Sequence, residues 1–371
     1  MGETRVLSSR ALNRALLERQ MLLRRRRVAA LDAVERLVGL QAQVPRDPYV
    51  ALWSRLHRFR PETIADPLSE RRAVRLGLLR ATLHLVTADD AVALRPVLDP
   101  VIQRTLHGQR QFATALAGID AAELGALATR LLEEAPRTRA ELAPLLGERW
   151  PQRDAAALAY AVTYLVPLVQ VTPRGVWGKT GRSAFTTFEH WLGRAPGRSQ
   201  EPDGLVRRYL AAFGPASPAD ASNWSGLAGM REVFERLRPE LRTFRDERGR
   251  EVFDLRGAPL PDPETPAPVR FLPEYDNVLL GHEDRSRIVP SGLSPPPGAS
   301  PMTEVGWGAV LVDGTLAARW KLEPADGTAV LRVQPYRRLS REDRTVLTRE
   351  GSALVSFLAP DAGRSVVRIA R

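Results

Sequence analysis

The fold is decided by residues 74–86: Val74-Arg75-Leu76-Gly77-Leu78, then Leu79-Arg80-Ala81, then Thr82-Leu83-His84-Leu85-Val86. Apolar residues alternate with polar or small ones in both arms, the period of a half-buried strand, so the segment reads as a two-stranded ribbon. What precedes it is helical. Leu12, Ala15, Leu16, Arg19, Leu22 and Leu23 recur at helical spacing, which predicts a helix over residues 12–27 closed by the run Arg24-Arg25-Arg26-Arg27 at its negative end. Leu31–Leu40 repeats the pattern through Val34, Leu37 and Val38, and Pro48 opens a third helical stretch through Val50, Leu52, Trp53 and Leu56. Three helices followed by a β-ribbon make a winged helix-turn-helix.

The same order recurs twice with little sequence identity. Residues 121–135 are helical, Thr138 caps a second helix, and residues 154–168 form a third, apolar-faced one. Val169-Gln170-Val171, a Pro173/Gly175 turn and Val176-Trp177-Gly178 then read as a second wing. In the third copy a helix runs to Phe213, Ser217 caps Pro218 at a first helical position, Leu227–Leu237 is helical, and residues 241–255 form a hairpin with the charged tip Asp246-Glu247-Arg248-Gly249-Arg250. A proline-rich connector, residues 259–268, leads into strands at 269–273, 310–320 and 329–333, an amphipathic helix at 341–358 and a closing strand at 365–369. The expected fold class is therefore α+β: three tandem winged-helix units, at 1–117, 118–198 and 199–258, with a small β-barrel or sheet region at 259–371.

With 371 residues, 44% of them hydrophobic, the chain suffices for several compact units with a buried core. The formal charge of +11 suits a polyanion such as nucleic acid, although GC-rich coding would give the same arginine bias without a binding role. The absence of cysteine excludes disulfides, thiolate metal sites and cysteine nucleophiles. His57, His84, His107, His190 and His282 show no metal-ligand spacing, so no metal and no cofactor is expected. Gly178-Lys179-Thr180 lacks the earlier glycine of a phosphate loop and lies in a wing. No apolar run reads as a signal peptide or membrane span, and the expectation is a cytoplasmic monomer, nucleoid-associated when bound to DNA.

One further motif stands where the second helix runs into a proline: Leu40-Gln41-Ala42-Gln43-Val44-Pro45. Two glutamines at a helix end are ordinarily solvated cap residues, but their surroundings resemble a known family. Leu12-Asn13-Arg14-Ala15-Leu16-Leu17, then Gly39-Leu40-Gln41-Ala42-Gln43-Val44-Pro45-Arg46-Asp47-Pro48-Tyr49, then Leu79–Val86 are similar to the opening of the bacterial winged-helix DNA glycosylase superfamily that includes the azinomycin-resistance glycosylase. Phe271-Leu272-Pro273-Glu274-Tyr275-Asp276-Asn277-Val278-Leu279-Leu280-Gly281 and Arg285 resemble its C-terminal half. The resemblance implies a C-shaped scaffold holding duplex DNA, with Gln41 and Gln43 as the double-glutamine version of the catalytic motif. It also implies unhooking of interstrand crosslinks and self-resistance to bulky DNA-alkylating antibiotics.

A side-chain amide accepts no proton at neutral pH, so neither glutamine can act as a general base. The leaving group must then be good already: a purine alkylated at N7 or N3 is cationic, and its departure neutralises that charge. Oriented amides need only position a water and supply dipoles near an oxocarbenium-like sugar. Duplex DNA with such purines is the expected partner. A lyase step needs an amine, and Lys179, Lys321 and the N-terminal amine are the only candidates, which predicts a monofunctional enzyme. The competing class is a non-catalytic winged-helix transcriptional regulator, against which stand the absence of a ligand-sensing domain and of a long dimerising helix. A structural DNA-bending protein would have no use for paired glutamines. Arg80 and His84 on the ribbon, Lys179 and Arg182 in the second wing, and Arg248 and Arg250 in the third are the candidate DNA-binding residues. Arg24–Arg27 reads as a solvated helix end, and Asp276 and Arg285 as salt-bridge residues.

Overall fold

The computed structural model describes residues 5–293, 305–325 and 327–370 of the chain. The fold is mixed α+β, with three sheets and helices on both sides of the predicted boundaries. The first helix is Ser9–Arg19, shorter than its apolar spacing predicts. It ends where Met21 takes a positive φ of 58° and the Leu22 N–H donates back to the Leu17 carbonyl at 2.8 Å; at that end Arg19 donates to both oxygens of Asp254 at 2.7 and 2.8 Å, and Gln20 donates to the Ala212 carbonyl at 2.8 Å. The arginine run therefore lies beyond the helix, and three of its four members have carboxylate partners. Arg24 and Arg26 bond Glu18, and Arg25 bonds Glu350 at 2.5 Å.

The ribbon forms as predicted, from strands Ala73–Gly77 and Leu83–Thr87. The glutamine motif does not sit on a helix end. After helix Ala30–Arg36 the chain turns through Val38 and Gly39, both at positive φ, into the strand Leu40–Gln41, which pairs with the ribbon as Leu40↔Leu85 and Gln41↔His84. Gly39 is required there, since at φ +90° a Cβ would meet Val86 Cγ1 at 2.7 Å.

The second wing differs from expectation. Strand Leu168–Gln170 pairs with Ala184–Thr187, and residues 171–183 form a loop instead of a strand at 176–178. Competition explains this. The Tyr49 hydroxyl donates to the Gly175 carbonyl at 2.8 Å and accepts the Trp177 N–H at 3.1 Å, so that backbone is engaged away from the ladder. The strands of the first two predicted units also merge into one six-stranded antiparallel sheet through Arg75↔Gln170 and Leu76↔Val169. The third hairpin, Leu241–Asp246 with Glu251–Leu255, forms as read, and strand Val6–Leu7 adds to its edge in parallel.

The C-terminal region is not a closed barrel. Its five strands run in the order Arg270–Leu272, Gly308–Val312, Thr315–Ala325, Thr328–Pro335, Arg364–Ile369, and the first and last are not paired. Helix Arg341–Leu358 is the physical reason. It buries Leu347, Leu354 and Val355 against the sheet and returns the chain to a strand parallel to Thr328–Pro335, so the helix supplies the core that closure would otherwise supply. A 21-residue helix, Ala88–Gly108, was absent from the sequence expectations. Its Leu94, Val97, Leu98 and Val101 enter the largest hydrophobic cluster beside Leu16, Val74, Phe213 and Leu272. Residues from all four predicted segments share that cluster. Among the described residues, no single helix is long and apolar enough to cross a membrane.

Candidate active site

The glutamine motif is held by its backbone. Ala42 is fully buried, its N–H donates to the Leu83 carbonyl at 2.8 Å, and its own carbonyl accepts from Arg75 Nη2 at 2.6 Å. Arg75 is 1% exposed, and its Nε and Nη1 have no partner among the described residues. Burial, and then the charge of Arg174, lower its pKa to about 10, which leaves it cationic at neutral pH. Ala42 is thus fixed at both ends, just past the strand, and its neighbours Gln41 and Gln43 are half-buried and exposed respectively.

Arg80 reaches Gln41 from the ribbon tip. Its Nη2 donates to Gln41 Oε1 at 3.1 Å and its Nη1 to the Trp224 carbonyl. Arg80 and Ala81 adopt φ of 53° and 56°, two consecutive left-handed residues without glycine. Such backbone costs roughly 1–2 kcal/mol per residue, and its persistence here is offset by the two contacts it permits. Burial, and then the neighbouring guanidinium of Arg285, bring the Arg80 pKa down to about 10. Arg285 itself has no carboxylate partner among the described residues. Asp276, read with it as a salt-bridge residue, pairs instead with Arg55, at 2.8 and 2.7 Å and wholly out of solvent.

His84 lies behind the motif. It is 1% exposed, its Nδ1–H donates to the Thr82 carbonyl at 2.9 Å, and burial, then Arg80, push its pKa to about 3. A neutral, enclosed imidazole of this kind braces the strand that carries Gln41 and presents nothing to solvent. Asp47, four residues beyond Gln43 at the start of helix Asp47–Arg55, is 8% exposed, and burial, followed by Glu274, raises its pKa to about 8. Asn277 completes the support by donating to the Gly39 carbonyl at 2.9 Å.

The outlying candidates divide. Lys179 is exposed and carries no ion pair among the described residues. Arg182 bonds Glu141, whereas Arg248 and Arg250 share Asp284 at 3.1 and 2.5 Å and Arg250 also bonds Asp246 at 2.7 Å. Of the amines considered for a lyase step, Lys321 bonds Glu323 at 2.6 Å and the N-terminal amine lies outside the described residues. No group of three His, Asp or Glu residues among those described could hold a metal ion. Arg75, Arg174, Asp47 and the loose Arg285 were missed as site residues from the sequence. The available signal was a charge at an apolar position of the ribbon, Val74-Arg75-Leu76.

The chain as a whole is similar to known DNA glycosylases. The DNA glycosylase AlkZ-like family matches residues 34–357. A curated relative, the interstrand DNA cross-link repair glycosylase of Streptomyces sahachiroi, is 25% identical over 328 residues, which cover 82% of this chain and 85% of the relative. The solved structure of the Streptomyces sahachiroi DNA glycosylase AlkZ superposes with a TM-score of 0.74 at 22% identity, over 98% of this chain and all of that one.

Proposed function

Because this chain belongs to the AlkZ-like DNA glycosylase family, we propose that it hydrolyses the N-glycosidic bond of cationic N7- or N3-alkylated purines in duplex DNA and leaves an abasic site. The observation that carries this reading is the pairing of a restrained and an unrestrained amide. Gln41 has its carbonyl occupied by Arg80, which turns its NH2 outward as a donor. Gln43 makes no side-chain hydrogen bond among the described residues, and its carbonyl is open to a water.

In the proposed reaction the alkylated purine departs as a neutral base while positive charge builds on the sugar. Gln43 holds the attacking water by its carbonyl and Gln41 donates to the water oxygen or the adjoining phosphate, so both supply orientation in place of proton abstraction, and after the water adds to the oxocarbenium carbon its surplus proton passes to bulk solvent. Arg80 sets the Gln41 amide and Arg75 the backbone between the two glutamines. The two glutamines carry no basic group, which restricts the substrates to bases already poised to leave. The name of the curated relative extends the proposal to interstrand crosslinks. Bulky adducts would enter an open cleft, with the three helix-and-hairpin units as winged helices around the DNA.

Base release from a 7-methylguanine duplex, read as strand breaks after alkali, tests this. Release should be lost in Gln41→Ala with Gln43→Ala, absent for uracil, and unaccompanied by breaks without alkali. A double variant as fast as the wild type, or efficient uracil excision, would overturn the mechanism.

A further inference from the structure

A cavity of about 230 Å³ opens beside Gln43, between the first ribbon and helix Ala155–Leu165, and the hydrolysis above makes no use of it. Tyr160 and Tyr164 line it from one face of that helix, an i, i+4 pair with ring centroids 5.7 Å apart. Buried Phe112 packs against both, at 5.1 and 5.3 Å, and so fixes the planes they present. Gln170 also lines the cavity and is 6% exposed. Its Nε2 donates to Ser183 Oγ at 2.7 Å, while its Oε1 has no partner among the described residues. A buried carbonyl left without a donor is costly, and the side chain is anchored in that position.

The remaining wall is cationic. Arg174 donates through Nη1 to the Gly181 carbonyl at 3.2 Å while its buried Nε has no partner, and Arg139 lies over the Tyr160 ring at 4.2 Å; neither has a carboxylate partner among the described residues. Arg95, which also lines the cavity, is neutralised by Asp99. Pockets for drug-sized ligands run to roughly 300–1,000 Å³, so this one has room for a single ring system and little more. Aromatic faces, one acceptor and two guanidiniums without a carboxylate partner among the described residues are the complement of a nucleotide: the rings stack the base, Gln170 accepts from its amino group, and the arginines take its phosphate. The same guanidiniums repel a purine that is itself positively charged.

We propose that this cavity receives an undamaged, uncharged nucleobase with its phosphate, turned out of the duplex opposite or next to the lesion, while the cationic purine stays at the glutamines. The proposal rests on the glycosylase reading and adds to it a second nucleotide site, in Tyr160, Tyr164, Gln170, Arg139 and Arg174. Removing that nucleotide from the stack would open the duplex around the lesion and give Gln43 access to the sugar.

The test uses the full-length protein and duplexes containing a tetrahydrofuran abasic analogue, with 2-aminopurine placed opposite it or beside it. Saturating protein should raise 2-aminopurine fluorescence at one of these positions. Gln170→Ala and Tyr164→Ala should abolish the rise and weaken binding of that duplex by about tenfold, whereas Tyr164→Phe should retain it. Thermal melting of each variant establishes that it is folded. Fluorescence that stays quenched with DNA bound, or a rise unchanged in folded Gln170→Ala and Tyr164→Ala, overturns the second site. If 7-methylguanine is still released in that case, the glycosylase reading stands without it; absence of release from any alkylated duplex defeats the glycosylase reading itself, whatever the probe shows.

Discussion

Arg75→Met separates what the buried guanidinium does for catalysis from what it does for stability. Burial lowers the Arg75 pKa from 12.5 to about 10, and at about 1.4 kcal/mol per pH unit the charge costs the folded state roughly 3 kcal/mol. Against this stands one charge-assisted hydrogen bond to the Ala42 carbonyl, contributing about 1.5–3 kcal/mol. Methionine keeps most of the apolar stem buried and removes both terms, so the variant should unfold in urea within about 1 kcal/mol of the wild type. Base release should respond differently. With the Ala42 carbonyl unclamped, the glutamines shift relative to the sugar, and a displacement of about 1 Å costs on the order of a hundredfold in rate. Single-turnover release of 7-methylguanine measures this, and Arg75→Lys, which retains one donor, should recover part of the rate. A folded Arg75→Met enzyme with wild-type turnover would refute the clamp, and a stability loss well beyond 3 kcal/mol would refute the balance of terms.

Other substitutions probe the supports of the site. The Asp47 pKa is raised from 3.8 to about 8, so its contribution to stability is complete below about pH 4 and is lost as pH rises toward 8, by at most about 1.4 kcal/mol per unit. Asp47→Asn should therefore gain melting temperature over the wild type steadily from pH 5 to pH 8, and parallel curves would contradict the assignment. Removing either partner of the enclosed Arg55–Asp276 pair should cost about 3–5 kcal/mol in chemical denaturation, with Arg55→Met and Asp276→Asn together costing less than their sum. Gly39→Ala should lose about 2–4 kcal/mol from positive φ and the overlap with Val86, and an unchanged melting temperature would show that the backbone relaxes freely there. Lys179→Ala should flatten the log–log salt dependence of DNA binding by about one unit, whereas Arg250→Ala, already bonded to Asp246 and Asp284, should leave the slope unchanged.

The parts of the fold legible in the sequence were those with local causes. Alternation placed the ribbon at residues 73–87, the Thr138 and Ser217 caps placed two helix starts, and amphipathic spacing placed the helix Arg341–Leu358. The misread parts had distant causes. At the end of the first helix the chain turns left-handed at Met21, and Arg19 there pairs with Asp254, more than two hundred residues away. Residues 175–177 do not form a wing strand because Tyr49 occupies their backbone. The C-terminal strands stay open because a helix fills the space between them and the rest of the core.

The candidate site divides in the same way. The glutamines are visible as a pattern of residue types, and their lack of a basic side chain already limits the chemistry to good leaving groups. Which amide is restrained and which is free depends on Arg80 arriving from the ribbon tip in a left-handed conformation that no propensity would select. The neutrality of His84, the raised pKa of Asp47, the clamp from Arg75 and the cavity beside Gln43 likewise exist only once three segments of chain have packed together. Residue identity determined which groups were present. Burial determined which of them carry charge, and long-range hydrogen bonds determined where they are held, since desolvation and distance are properties of the assembled fold and not of the chain.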